Sequence, residues 1–149
     1  MGRKDYHKSI TTNIPASEAI EKISNVGEWW LSSFKGKAEK VNDVFTMKVG
    51  DHGTVGFKII EVVPNKKIVW LVTDCYLSWY KDKAEWRDTT VVFEISEQKG
   101  KTKIDFTHVG LTPKMECYDD CEWGWNNYIG ESLKSFFDTG KGIPYEGPY

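Results

Sequence analysis

The sequence predicts an α+β domain in which an antiparallel sheet is covered on one face by a single long C-terminal helix. Three observations carry that prediction. Bulky apolar residues recur every three or four positions from about Tyr118 to Thr139. Between about residues 37 and 108 the pattern changes to alternation of apolar and polar residues in runs separated by short turns. No other stretch reads as an equally long helix. Short turns between successive strands imply antiparallel neighbours, and such a sheet can stay wet on one face while a helix buries the other.

Taken in order, residues 5–12 place Tyr6 and Ile10 among Ser, Thr and Lys, as a half-buried strand does. Asn13 and Pro15 end it. Ala19, Ile20 and Ile23 then recur at helical spacing from Ala16 to about Val26, with Ser17 and Glu18 in the first turn. Gly27 breaks that run, and Glu28-Trp29-Trp30-Leu31 makes a second short helix or turn with its indoles inward. A weak strand is expected near Lys37 to Val41, followed by a tight turn at Asn42-Asp43. Phe45, Met47 and Val49 alternate with polar neighbours, as do Val55, Phe57 and Ile59, but the run Ile59 to Val63 loses alternation, which is the mark of a bulge or of two-sided burial. Pro64-Asn65-Lys66 closes a hairpin onto Ile68 to Val72, the most hydrophobic run and therefore the central strand. Residues 74–87 carry Tyr76, Trp79, Tyr80 and Trp86 among charges without a clear period, and read as a rim loop. Strands at about 90–95 and 103–108 flank a turn at Glu97 to Gly100, which brings the strands to six or seven. Ile104, Phe106 and His108 share the core-facing side of the last. In the helix, Tyr118, Cys121, Trp125, Ile129, Leu133 and Phe136 form the apolar stripe. Gly140 stands at its left-handed stop, and Gly140 to Tyr149 reads as a loose tail.

One domain spans residues 1–149, with its core at 5–142 and a tail at 143–149. The chain has 149 residues, a formal charge of -2, and seven each of Trp, Tyr and Phe. Twenty basic and 22 acidic residues are spread without a basic block, so nucleic acid is not an expected partner. No apolar leader or membrane span is readable, and a cytoplasmic protein is expected. Cys75, Cys117 and Cys121 make an odd number that argues against a disulfide framework. Cys117 and Cys121 would share a helix face near His108, but a zinc site wants about four ligands, so neither metal nor other cofactor is expected.

The order strand, two short helices, several strands and long helix resembles the helix-grip fold of the START-like (SRPBCC, birch-pollen-allergen-like) superfamily. Particular stretches resemble its branch of heat-shock-protein-90 ATPase activator homologues: FKIIEVVPNKKIVW at 57–70, the pair TTVVFEIS and TKIDFTHVGL, and GWNNYIGESLKSFFDTGKG at 124–142. The resemblance implies a curved sheet gripping the helix with a cavity between them. Members bind apolar ligands, cyclise polyketides or assist a chaperone, so the fold alone does not fix a function. The full-length activators carry a further amino-terminal domain, which is not expected within these 149 residues.

A ligand site is expected where the predicted inward faces converge, at Trp70, Phe93, Phe106, His108, Trp125, Tyr128, Ile129, Ser132 and Phe136, with Gly124 and Ser132 as small residues that leave space. The expected occupant is a small hydrophobic or aromatic molecule, lipid included. Two alternatives belong to other classes. Trp79, Tyr80 and Trp86 at the rim would suit a protein-interaction module such as a chaperone partner, or fold inward as a lid. His108 and Tyr128 would be the acid-base groups of a cyclase or hydrolase, although an enzyme is the less favoured reading because no positioned pair or triad is legible. Asp105 lies three residues from His108 and so on the opposite strand face. Asp74, Asp82, Glu85, Arg87 and Asp88 are rim charges with no role beyond gating.

Overall fold

The computed structural model describes residues 5–49, 53–77, 81 and 86–145. Its strands are β1 (Tyr6–Thr12), β2 (Lys35–Gly36), β3 (Val44–Val49), β4 (Gly53–Val63), β5 (Lys67–Leu77), β6 (Thr90–Gln98) and β7 (Lys101–Val109). They form one curved antiparallel sheet in the order β1-β7-β6-β5-β4-β3-β2, so β5, the most hydrophobic run, is the fourth of seven. Helix α1 (Ala16–Ser24) and a 3-10 turn (Val26–Glu28) follow β1. The closing helix α2 covers 118–139 in three sections: α-helical at Tyr118–Asn127, π-helical at Tyr128–Leu133 and α-helical again at Lys134–Thr139. Among the described residues no helix is long and apolar enough to cross a membrane.

Local chemistry explains these boundaries. Gly140 takes a φ of +82° and its N–H caps Phe136, ending α2 in the left-handed conformation that a side chain disfavours. The lost alternation in β4 is a bulge: Ile59 pairs with Trp70 and Glu61 with Val69, which leaves Ile60 as the extra, 43% exposed residue. Lys99 and Gly100 both have positive φ, as a two-residue hairpin between β6 and β7 requires.

Three expectations need correction. The strand near Lys37 to Val41 is not formed, and β2 lies earlier, at Lys35–Gly36. The Asp43 carboxylate accepts hydrogen bonds from the N–H groups of Glu39 and Lys40, so this backbone is spent on a turn instead of a ladder. Residues 74–77 are not rim loop but the end of β5, paired with β4 through Gly56↔Asp74 to Gly53↔Leu77. The exposed Asp74 and Tyr76, on either side of the buried Cys75, hid a strand whose outer face is solvated.

The third correction concerns the tail, which is strapped down as far as Tyr145. Ile143 N–H donates to Ser132 Oγ at 2.7 Å, Tyr145 N–H to the Trp30 carbonyl at 2.8 Å, and Ser32 N–H to the Tyr145 carbonyl at 3.0 Å. Ser132 Oγ itself donates to the Trp29 carbonyl at 2.6 Å, so one buried hydroxyl ties α2, the Trp29-Trp30 wedge and the tail together. At the other side, β1 is stapled along α2 by Tyr6 to Asn126, Thr12 to Asp138 and Lys134 to the Thr11 carbonyl.

Gly142 measures how closely the tail is laid on the wedge, because a Cβ there would stand 2.2 Å from the Glu28 carbonyl oxygen and 3.0 Å from Trp29 Cα. Backbone cannot yield as a flexible side chain can. Gly142→Ala is therefore expected to lower unfolding free energy by about 2 kcal/mol or more, measured by urea denaturation. An unchanged midpoint would mean that the tail does not dock as described.

Candidate functional site

One ring from each of β3 to β7 builds the centre of the molecule. Phe45 stacks on Phe57 (4.9 Å between centroids), Phe45 meets Trp70 edge-on (5.0 Å), and Trp70 meets Phe93 (4.9 Å). Phe93 in turn meets Phe106 (5.1 Å), and Phe106 meets Trp125 of α2 (4.5 Å). Alternation alone places these rings on the inner face; their size then fills the gap to the helix. Aromatic pairs of this kind contribute roughly 0.5–1.5 kcal/mol each beyond the area they bury.

The residues expected to converge do so, but most of them are packed solid. Trp70, Phe93, Phe106, His108 and Ile129 are 0% exposed, Trp125 and Ser132 2%, and Phe136 8%, with Lys22 Nζ 4.4 Å above the Phe136 ring. The open space lies to one side of them. β6 pairs with β5 only from Lys67 to Leu71, so beyond Leu71 the sheet narrows to β3, β4 and β5. There the start of α2 runs past the strands without a full sheet beneath it, and a cleft of about 430 Å³ remains. Val55 and Leu77 line it from the strands, Trp30 and Leu31 from the wedge, and Trp86 from the segment between β5 and β6. The helix supplies Asp120, Cys121, Trp123, Gly124, Trp125 and Tyr128.

Of the predicted site residues, then, Trp86, Trp125 and Tyr128 border this space, and Gly124 leaves it open: a Cβ there would meet nothing nearer than Tyr128 at 3.8 Å. Trp70, Phe93, Phe106, His108, Ile129, Ser132 and Phe136 do not line it. Ser132 in particular is consumed by its two hydrogen bonds. Trp86 points inward, 7% exposed, while Trp79 and Tyr80, with Asp82 and Glu85, lie outside the described residues. Sequence reasoning missed Trp30, Leu31, Val55, Leu77, Asp120, Cys121 and Trp123 as wall residues. Cys121 carried a usable signal, since it continues the apolar stripe one turn ahead of Trp125.

The hydrogen bonds around His108 determine its chemistry. Trp125 Nε1–H donates to His108 Nδ1 at 3.1 Å, so Nδ1 holds a lone pair. Thr89 Oγ1 lies 2.9 Å from Nε2, and the Thr89 hydroxyl donates its proton to the Trp86 carbonyl at 2.5 Å. Thr89 oxygen is thereby left to accept, and the imidazole proton sits on Nε2. The ring is neutral, and burial holds its pKa down from 6.5 to about 3. Protonation would turn a second N–H against that of Trp125. Asp105, as expected, is on the other face, where it binds Ser9 and His7.

His108 as a structural acceptor gives a prediction with a definite sign. Because its folded pKa lies below its unfolded value, the unfolded chain takes up a proton that the folded chain does not. Stability is fully present above pH 6.5 and is lost by about 1.4 kcal/mol per unit as pH falls toward about 3. His108→Phe leaves the Trp125 N–H without its acceptor and is expected to cost about 2–3 kcal/mol at pH 7. It also removes the proton linkage, so the gap to the unaltered protein narrows on acidification from pH 6.5 to 4, as urea midpoints would record. A gap that stays constant would contradict the neutral-histidine account.

Comparison with known proteins gives the lineage. The solution structure of the Aha1 dimer from Colwellia psychrerythraea superposes with a TM-score of 0.73 at 18% identity, over 93% of this chain and 99% of that one. The crystal structure of DynU16, a protein of the dynemicin biosynthetic locus, gives 0.67 at 14% identity, over 93% of this chain and 49% of that one. Protein MLL2253 from Mesorhizobium loti gives 0.66 at 17%, over 87% and 95%. At these identities the likeness is one of fold. No curated protein matches the sequence. The sequence profile described as Activator of Hsp90 ATPase homolog 1-like protein, however, matches residues 18–138, most of the chain, and the protein belongs to that family of START-like, helix-grip proteins.

Proposed function

We propose that this protein binds a small, flat hydrophobic or aromatic molecule in the cleft at the start of α2, and carries or sequesters it without chemical change. The observation that carries this reading is the cleft itself: about 430 Å³, walled by Trp30, Trp86, Trp125 and Tyr128 and kept open at Gly124. Its size lies in the range of small-molecule sites, and aromatic walls offer large contact areas at low entropic cost. The surrounding core is already packed, so a ligand would meet walls that need little ordering, which favours affinity.

The two other readings have weaker support. Proton transfer by His108 would need a free ring nitrogen facing a substrate, whereas both nitrogens are engaged and the ring is fully buried. Docking on a chaperone through the rim aromatics gains no support from Trp86, which is buried.

The test is native mass spectrometry of protein purified from its own host, together with a cleft-filling variant. The unaltered protein is expected to retain a small molecule, and Gly124→Phe to lose it while melting no lower, since a helix interior prefers Phe to Gly. With 1-naphthol as added probe, Gly124→Phe is expected to weaken binding at least about tenfold. Equal binding by a fully folded Gly124→Phe would place the site elsewhere.

A further inference from the structure

We propose that Trp123 is the lid of the cleft: its indole turns about the Cα–Cβ bond across Gly124 and closes over a bound molecule. This rests on the cleft being the binding site and names how that site shuts. The first support is position. From Tyr118 to Asn127 the helix is regular, so at ~100° per residue Trp123 and Trp125 project to opposite sides of Gly124. All three line the cleft. The two indoles differ in what surrounds them. Trp125 is 2% exposed, whereas Trp123 is 70% exposed, the highest value of any large hydrophobic residue described. Trp123 thus borders the space without being packed against its other walls.

The second support is freedom to move. Trp125 is tied to His108 through its Nε1–H, and ring contacts hold Trp30 and Trp86 against Trp125. Among the described residues no hydrogen bond or ring contact restrains the indole of Trp123; what is held is its backbone, whose carbonyl accepts from Asn127 Nδ2 at 2.7 Å. Closing is therefore a change of rotamer with the helix unmoved. The path is clear as well. A Cβ at position 124 would meet nothing nearer than Tyr128 at 3.8 Å, so glycine leaves the ground between Trp123 and the cleft unobstructed. The driving force is removal of the ring from water. A Trp side chain can bury roughly 150–250 Å², and covering about 60 Å² of it is enough for a tenfold gain in affinity. Without a molecule beneath it the ring would give up water and gain few partner atoms, so closure is coupled to occupancy.

Solvent-relaxation NMR tests the movement on the unaltered full chain. The indole N–H signal of Trp123, assigned by its loss in Trp123→Ala, is followed with a neutral gadolinium chelate in solution, before and after saturation with 1-naphthol. The chelate is expected to relax this signal strongly at first and severalfold less in the complex. In parallel, Trp123→Ala is expected to fold normally, since the side chain is 70% exposed and Ala is the better helix former. Its naphthol complex is expected to dissociate about tenfold faster by stopped-flow fluorescence, with association within about twofold, because an exposed side chain turns far faster than a ligand arrives. Naphthol binding with Trp123 equally exposed, or with the same dissociation rate in Trp123→Ala, would overturn the lid and leave the cleft as a site. Absence of naphthol binding by the unaltered protein would remove the cleft reading, and the lid with it.

Discussion

The hydrogen bond from Trp125 to His108 joins three parts of the molecule that the chain reaches at different times. It fastens the inner face of α2 to β7, it decides which nitrogen of His108 keeps the proton, and through Thr89 it holds the Trp86 carbonyl. Trp86 is thereby kept against both Trp125 and His108, 5.8 Å and 4.7 Å between ring centroids. The wall of the cleft is thus built by the same bonds that lock the histidine. A histidine spent in this way holds an indole in place, and its burial makes the neutral form obligatory.

A helix-grip sheet can leave a void anywhere along its helix, and ring volume decides where. Over most of α2 the row from Phe45 to Phe106 fills the gap, and Ser132 pulls the helix onto the Trp29-Trp30 wedge. Where β6 has ceased to pair with β5 a cleft remains, under the first turns of the helix. Dense packing over one part of α2 and a cleft beside it are consistent parts of one design: a close-packed interior transmits little freedom to the walls around it.

The fold was legible because two periods differ so sharply. Spacing of three and four from Tyr118 to Thr139 and alternation in the middle of the chain permit few architectures, and β5 as the richest run belonged in the middle. What misled was local polarity. Asp74 and Tyr76 made the end of β5 look like loop, and a carboxylate turn at Asp43 replaced an expected strand. The lining of the candidate cleft was half legible. Alternation tells which face a residue joins but not whether the opposing side chains reach across, so Trp70, Phe93 and Phe106 could not be separated from Trp125 and Tyr128. Leu77, Val55 and Trp30 were hidden because they meet only through the far end of the β4-β5 pair. The π-helical section, too, was hidden, because Ile129 and Leu133 keep the four-residue spacing of an ordinary α-helix.

The central claim is that binding is confined to the cleft and leaves the ring-filled core closed. Two-dimensional NMR of the tryptophan indole N–H groups tests it most directly, with naphthalene-bearing probe added to the ¹⁵N-labelled protein and each signal assigned by substitution. The account predicts that the resonances of Trp30, Trp86, Trp123 and Trp125 move with saturation while those of Trp29 and Trp70 hold still. Shifts centred on Trp29 and Trp70, or none in the first four, would contradict it.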